Sequence, residues 1–127
     1  MSTRGPAPDA FVSICPSRMV LSRIGDKWTM LALVTLAAGP VRFGALRRRL
    51  QGVSQKMLSQ TLRNLERDGV VSRTVATERP LRVDYELTAR GRTLLPLAAA
   101  LKTWAEQNLK DIERSNARFD HRTAQAS

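Results

Sequence analysis

The chain has one cysteine and one histidine in 127 residues. A lone cysteine excludes a disulfide within the chain and any zinc site built on a cysteine cluster. A lone histidine, His121 in the polar C-terminal stretch, leaves no Ser/His/Asp or Cys/His set. There are also no paired carboxylates on one helical face and no glycine-rich phosphate loop, so an enzyme is not expected, and neither is a cofactor or metal. Long apolar runs are missing too. The longest, around Leu31 to Leu36, is interrupted by Thr35 and is too short to span a bilayer. The first ten residues, MSTRGPAPDA, carry no signal-peptide core. A cytoplasmic chain is the expectation. No internal repeat is visible, and the length suits one domain with a real core.

Acidic residues are scarce where basic ones gather. The formal charge is +10, from 21 Lys+Arg against 11 Asp+Glu. Between Arg42 and Arg82 ten basic residues face three acidic ones, so +7 of the total lies in about one third of the chain. A polyanion partner is the natural reading of such clustering, against a generally basic solvated surface.

The chain is organised around Ser54–Asp68. Ser54 is a good helix N-cap and Gly69 a good residue just beyond the C-terminus. Leu58, Thr61, Leu62 and Leu65 recur at helical spacing as a buried stripe. Gln55, Lys56, Ser59, Gln60, Arg63 and Arg67 cover the other face, and side chains of that kind reach base edges and phosphates in a major groove. Before it come a Gly-containing turn, Gln51-Gly52-Val53, and a helix with Phe43, Leu46 and Leu50 on one face and Arg47, Arg48 and Arg49 on the other. Helix, glycine turn and polar-faced helix make a helix-turn-helix pattern. The arginines beside it, with Arg42, suit phosphate contacts, which set register but read no sequence.

Upstream, residues 1–12 read as a flexible arm. Cys15-Pro16 opens a helix through Ile24, ended by Gly25. Cys15 at a helix N-terminus with Arg18 in the first turn favours a thiolate; the alternative is a small packed hydrophobe. Asp26 caps a helix from Lys27 to Ala38, apolar on nearly every side and hence central, with Trp28 in the core. Val41-Arg42 reads as an extended link.

Downstream, Val70–Val75 and Val83–Leu87 read as two strands joined by a loop stiffened by Pro80. Such a ribbon is a wing, with Arg79 and Arg82 placed to enter a minor groove or clamp the backbone; a solvated hairpin loop is the competing reading. Thr88 caps a last helical region to about Arg114, kinked at Pro96. Its stripe of Leu94, Leu95, Leu97, Ala98, Leu101, Trp104, Ala105, Leu109 and Ile112 exceeds what one small domain covers, so a second copy is expected there. Residues 13–114 then form the folded domain and 115–127 a flexible tail. The fold class is mainly α with a small β-hairpin wing, a winged helix-turn-helix (α+β).

This order of elements resembles the HxlR-type branch of MarR-like winged-helix transcription regulators. The resemblance is carried by Cys15-Pro16, Ile24-Gly25-Asp26-Lys27-Trp28-Thr29, Arg42-Phe43, Leu46 and Ser54-Gln55-Lys56-Met57-Leu58. It continues through Leu62, Leu65-Glu66, Asp68-Gly69-Val70-Val71, Arg73, Tyr85-Glu86-Leu87-Thr88, Gly91, Leu94-Leu95-Pro96 and Trp104-Ala105. It implies a homodimer joined through the first and last helices, with Met19, Val20, Leu97, Leu101 and Trp104 at the interface, on a pseudo-palindromic double-stranded DNA operator. It also implies a regulator, a repressor in the first reading, and redox or electrophile sensing at Cys15. A departure is the lack of a second cysteine, which restricts a switch to alkylation, a mixed disulfide with a small thiol, or a link between two Cys15 residues. A regulator that binds a small aromatic effector instead, and an architectural or protein-docking winged helix, are the alternatives.

Overall fold

The computed structural model describes residues 7–77 and 81–126. The expected wing-tip contact Arg79 lies outside them. Helices α1 (Pro16–Ile24) and α2 (Lys27–Thr35) lead through a single turn of 3-10 helix to β1 (Val41–Arg42). Then come α3 (Phe43–Arg49), α4 (Gln55–Arg67), β2 (Val71–Ala76), β3 (Arg82–Leu87), α5 (Ala89–Arg92) and α6 (Leu95–Ala126).

Local chemistry sets most of these boundaries. Asp26 Oδ1 accepts from the amides of Trp28 at 2.9 Å and Thr29 at 3.3 Å, which caps α2. Ser54 Oγ accepts from Met57 N at 3.1 Å and caps α4. Each cap satisfies amides that the first helical turn leaves without partners. Gly52, at φ +92, makes the turn between α3 and α4, and Gly69, at φ +74, ends α4; both conformations are costly for residues with a Cβ.

The core lies where α2, α3, α4 and the sheet meet. Leu33, Leu36, Leu46, Leu50, Leu58, Leu62 and Val71 are fully buried, and Trp28, Leu65, Tyr85 and Leu87 belong to the same cluster. The central place expected for α2 and for Trp28 is therefore observed. Gly91 sits directly under Val70, where a Cβ would collide with the Val70 carbonyl oxygen.

Several boundaries differ from the sequence reading. α2 ends at Thr35, and the 3-10 turn takes Leu36–Ala38. Three differences are larger. Val41-Arg42 is a third strand, so the sheet order is β1-β3-β2, all antiparallel, with Val41 opposite Tyr85 and Arg42 opposite Asp84. The last helical region is two helices, broken before Leu95, with Pro96 in the first turn of α6. There its missing amide costs nothing, whereas mid-helix it would leave a carbonyl without a donor. And α6 does not end near Arg114 but continues to Ala126. Residues 115–126 contain neither proline nor glycine, so nothing in them stops a helix.

Candidate nucleic-acid interface

Leu58, Leu62 and Leu65 pin one face of α4 into the core, so the helix presents its other face outward as a rigid unit. Gln55, Lys56, Ser59, Gln60 and Arg63 are all exposed there. Arg47, Arg48 and Arg49 form the last turn of α3 and are exposed beside it. Cations at that end also favour the helix dipole. Arg42 is exposed on β1, one residue before α3.

These clustered cations have no ion-pair partner among the described residues. Among the described residues, the ion pairs are Arg23–Asp68, Arg82–Asp84, Lys102–Glu106 and Arg114–Asp111. Arg42, Arg47, Arg48, Arg49, Lys56 and Arg63 take part in none of them. An exposed cluster of like charge without internal compensation is held against self-repulsion and is discharged by an anionic partner.

The remaining sequence candidates are placed less simply. Ser54 Oγ accepts the capping bond, so only its hydroxyl proton is free to donate outward. Gln60 Nε2 donates to Asn64 Oδ1 at 3.1 Å. Both line a cleft of about 320 Å³ between α4 and the α1–α2 corner, together with Ser22, Arg23 and Met57. Gln60 thus lies on the flank of the exposed face. Arg82 Nε is engaged by Asp84 at 3.2 Å on the same strand. Arg73, on β2 opposite Tyr85, is exposed without an ion pair among the described residues. The sequence reading counted its charge but did not place it at the site; its position on a ribbon strand was the available signal.

Cys15 is the N-cap of α1 and half-buried. Its Sγ lies 3.1 Å from Ser17 Oγ and accepts the Asp9 amide at 3.4 Å. The Ser17 hydroxyl bond first, and the Asp9 amide next, hold the thiol below its ordinary value of 9.0. Donors aimed at sulfur favour the charged form. The sequence reading credited Arg18 and the helix terminus; the Ser17 amide in the first turn of α1 does contribute, behind the Ser17 hydroxyl and the Asp9 amide, and Arg18 is not among the causes. A cavity of about 310 Å³ between Ala7, Val12, Ile14 and Pro16 opens beside the sulfur.

The residues expected at a dimer interface are exposed: Met19 at 62 %, Val20 at 39 %, Leu97 at 64 %, Leu101 at 52 % and Trp104 at 57 %. α1 buries no residue, and α6 buries only Ala98. Between α2 and α6 lies a largely apolar cleft of about 330 Å³, lined by Met30, Leu31 and Leu101 with Lys27 and Lys102. No helix among the described residues is long and apolar enough to cross a membrane.

Comparison with known proteins agrees with this geometry. Residues 23–113 match the family model of the HxlR-like helix-turn-helix. The chain is 43 % identical over 102 residues to the HTH-type transcriptional regulator YtfH of Escherichia coli (strain K12), covering 80 % of this chain and 81 % of that protein. The structure of the transcriptional regulator ytfH from Salmonella typhimurium superposes with a TM-score of 0.83 at 40 % identity, covering 87 % of this chain and 98 % of that one. The redox regulator HypR in its oxidized form superposes with a TM-score of 0.68 at 40 % identity, covering 74 % and 97 %. The chain belongs to the HxlR-like helix-turn-helix family: it is a transcriptional regulator with a MarR-like winged-helix DNA-binding domain, and not an enzyme.

Proposed function

We propose that this HxlR-like regulator acts in the cytoplasm as a homodimeric repressor that releases its operator when Cys15 is modified. In this reading α1 and α6 join two copies through Met19, Val20, Leu97, Leu101 and Trp104. Two-fold symmetry then places the two α4 helices on half-sites roughly 10 or 20 bp apart. Gln55, Lys56, Ser59, Gln60 and Arg63 contact base edges or phosphates in the major groove. Arg42, Arg47, Arg48 and Arg49, with Arg79 and Arg82 of the wing, hold the backbone. The observation that carries the DNA reading is the exposed α3–α4 cation cluster, whose members have no ion-pair partner among the described residues.

The thiol reading is supported by the donors around Cys15 Sγ and by the similarity to a redox regulator. With one cysteine per chain, the modification is alkylation, a mixed disulfide with a small thiol, or a link between the Cys15 residues of two copies. The α2–α6 cleft supports a second reading, a small aromatic effector bound next to the dimer helices.

One experiment separates the readings. The purified protein is titrated onto DNA from upstream of its own gene with excess competitor DNA, reduced and then treated with diamide or a quinone. Specific binding that is lost on treatment and kept in Cys15→Ser is the expected result. Binding indifferent to treatment moves the switch to the α2–α6 cleft. Binding without sequence preference at any salt concentration favours an architectural role.

A further inference from the structure

The C-terminal end of α4 is gripped from outside the helix-turn-helix. Asp68 caps the helix, and its carboxylate accepts two bonds from one guanidinium: Arg23 Nε donates to Oδ2 at 2.8 Å and Nη2 to Oδ1 at 3.0 Å. Arg23 is in the last turn of α1. A two-pronged arginine–carboxylate contact fixes orientation as well as distance. On the other side, Arg90 Nη1 donates to the Asp68 carbonyl at 2.9 Å, and Thr88 Oγ1 to the Gly69 carbonyl at 2.5 Å. The end of α4 is thus clamped between α1 and the start of α5.

This grip stands out against the rest of the molecule. The other ion pairs among the described residues join neighbours on one element: Arg82–Asp84 on β3, and Lys102–Glu106 and Arg114–Asp111 on α6. Only Arg23–Asp68 ties two separate elements, across 45 positions of sequence. α1 buries no residue and packs mainly against α2, which follows it through a tight turn. A cavity of about 310 Å³ opens beneath it, between Val20 and Ile24 on one side and Val70, Thr93 and Leu94 on the other. A helix that buries no residue of its own is oriented by such a two-pronged contact together with its turn into α2.

We propose that Arg23 and Asp68 are a positioning pair that sets the half-site spacing the regulator accepts. The inference rests on the reading of α1 as a dimer helix and α4 as the reading helix. Under that reading, the separation of the two α4 helices follows from the angle between each α4 and its own α1, and operator spacing mirrors it. Neither side chain needs to touch DNA. A stiff link makes the dimer sensitive to spacing. A loosened link lets each α4 settle on its half-site independently.

The test begins with selection of an operator from random DNA by the full wild-type chain. Dissociation constants are then measured on that operator, on copies with the spacer longer or shorter by one base pair, and on copies with one half-site base changed. One base pair displaces a half-site by about 3.4 Å along the axis and also rotates it. The wild type is expected to lose about tenfold or more on a spacer change, and Arg23→Gln and Asp68→Asn at most about threefold, with the half-site base penalty the same in all three. Arg23→Lys should fall between, because an ammonium cannot make the two-pronged contact. If both variants keep the wild-type spacing ratio, or lose affinity on every DNA alike, the pair is only structural and the proposal fails. If one variant does not fold by circular dichroism, the other and Arg23→Lys decide. A wild type that selects no operator, or only a single half-site, overturns the dimeric-repressor reading and this inference with it; a spacing preference that survives in the variants overturns the inference alone.

Discussion

The body of the winged helix and its two outer helices use the same residue types to opposite effect. In α4, Leu58, Leu62 and Leu65 are buried by α2 and the sheet. In α6, Leu97, Leu101 and Trp104 repeat at the same helical spacing and are more than half exposed. The body is closed: its apolar faces find each other within one chain. The outer helices are open, with α1 burying nothing and α6 burying only Ala98. Water is a poor neighbour for such a stripe, since each square ångström of apolar surface left in it forgoes roughly 25 cal/mol. Apolar periodicity therefore marks a face to be covered, but not what covers it. In this molecule the two kinds of face divide the work, a closed body carrying the cation cluster and an open periphery suited to a second copy.

Substitutions on the two kinds of face should behave differently. Leu62→Ala, in the closed body, is expected to cost about 2–5 kcal/mol in urea unfolding, because a fully packed site cannot collapse around the lost atoms. A cost below about 1 kcal/mol would mean the body is looser than its burial shows. Trp104→Ala, on the open face, should leave the unfolding of the separated chain nearly unchanged. It should instead raise the dimer dissociation constant by more than tenfold, as loss of a central aromatic anchor of about 2 kcal/mol would. Sedimentation equilibrium reads this directly. An unchanged association constant would remove Trp104 from the interface.

The same division governs how much of the molecule was legible in its sequence. α4 was readable to its ends because its signals are local: Ser54 caps it, Gly69 ends it, and the leucines between keep one phase. β3 was readable from strict alternation. β1 was not, because two residues hold no periodicity, and Val41-Arg42 becomes a strand only through its pairing with Tyr85 and Asp84. The break before Pro96 had a local signal, since proline belongs in a helix's first turn; a long apolar stripe on both sides masked it. At the site, the outward face of α4 was legible from charge and spacing. The engagement of Arg82 by Asp84 was not foreseen, nor was the grip of Arg23 on Asp68, which depends on tertiary approach.

The two helix caps sharpen the contrast. Ser54 and Cys15 occupy the same kind of position, but Ser54 Oγ accepts from Met57 N, while the Cys15 side chain makes no capping bond. Ser54→Ala should therefore destabilise the body by about 1 kcal/mol in urea unfolding. Cys15→Ser should leave the unfolding midpoint unchanged, and an equal loss in both would show that the two caps are equivalent.

The smallest expected effect concerns the chemistry of that second cap. Because donors from Ser17 and Asp9 hold the Cys15 thiol below 9.0, the folded chain carries more thiolate at neutral pH than an ordinary cysteine would. The associated stabilisation is present above the unfolded value and is lost as pH falls through the lower folded value. Ser17→Ala removes the largest cause and leaves the Asp9 amide in place, so the midpoint should move up without returning fully to 9.0. Iodoacetamide alkylation followed against pH checks this. Relative to wild type, the variant should react more slowly near neutrality and converge with it in strong base, where both thiols are ionised. Superimposable profiles would mean that the Ser17 hydroxyl does not stabilise the thiolate and that the amides of Asp9 and Ser17 are its remaining partners.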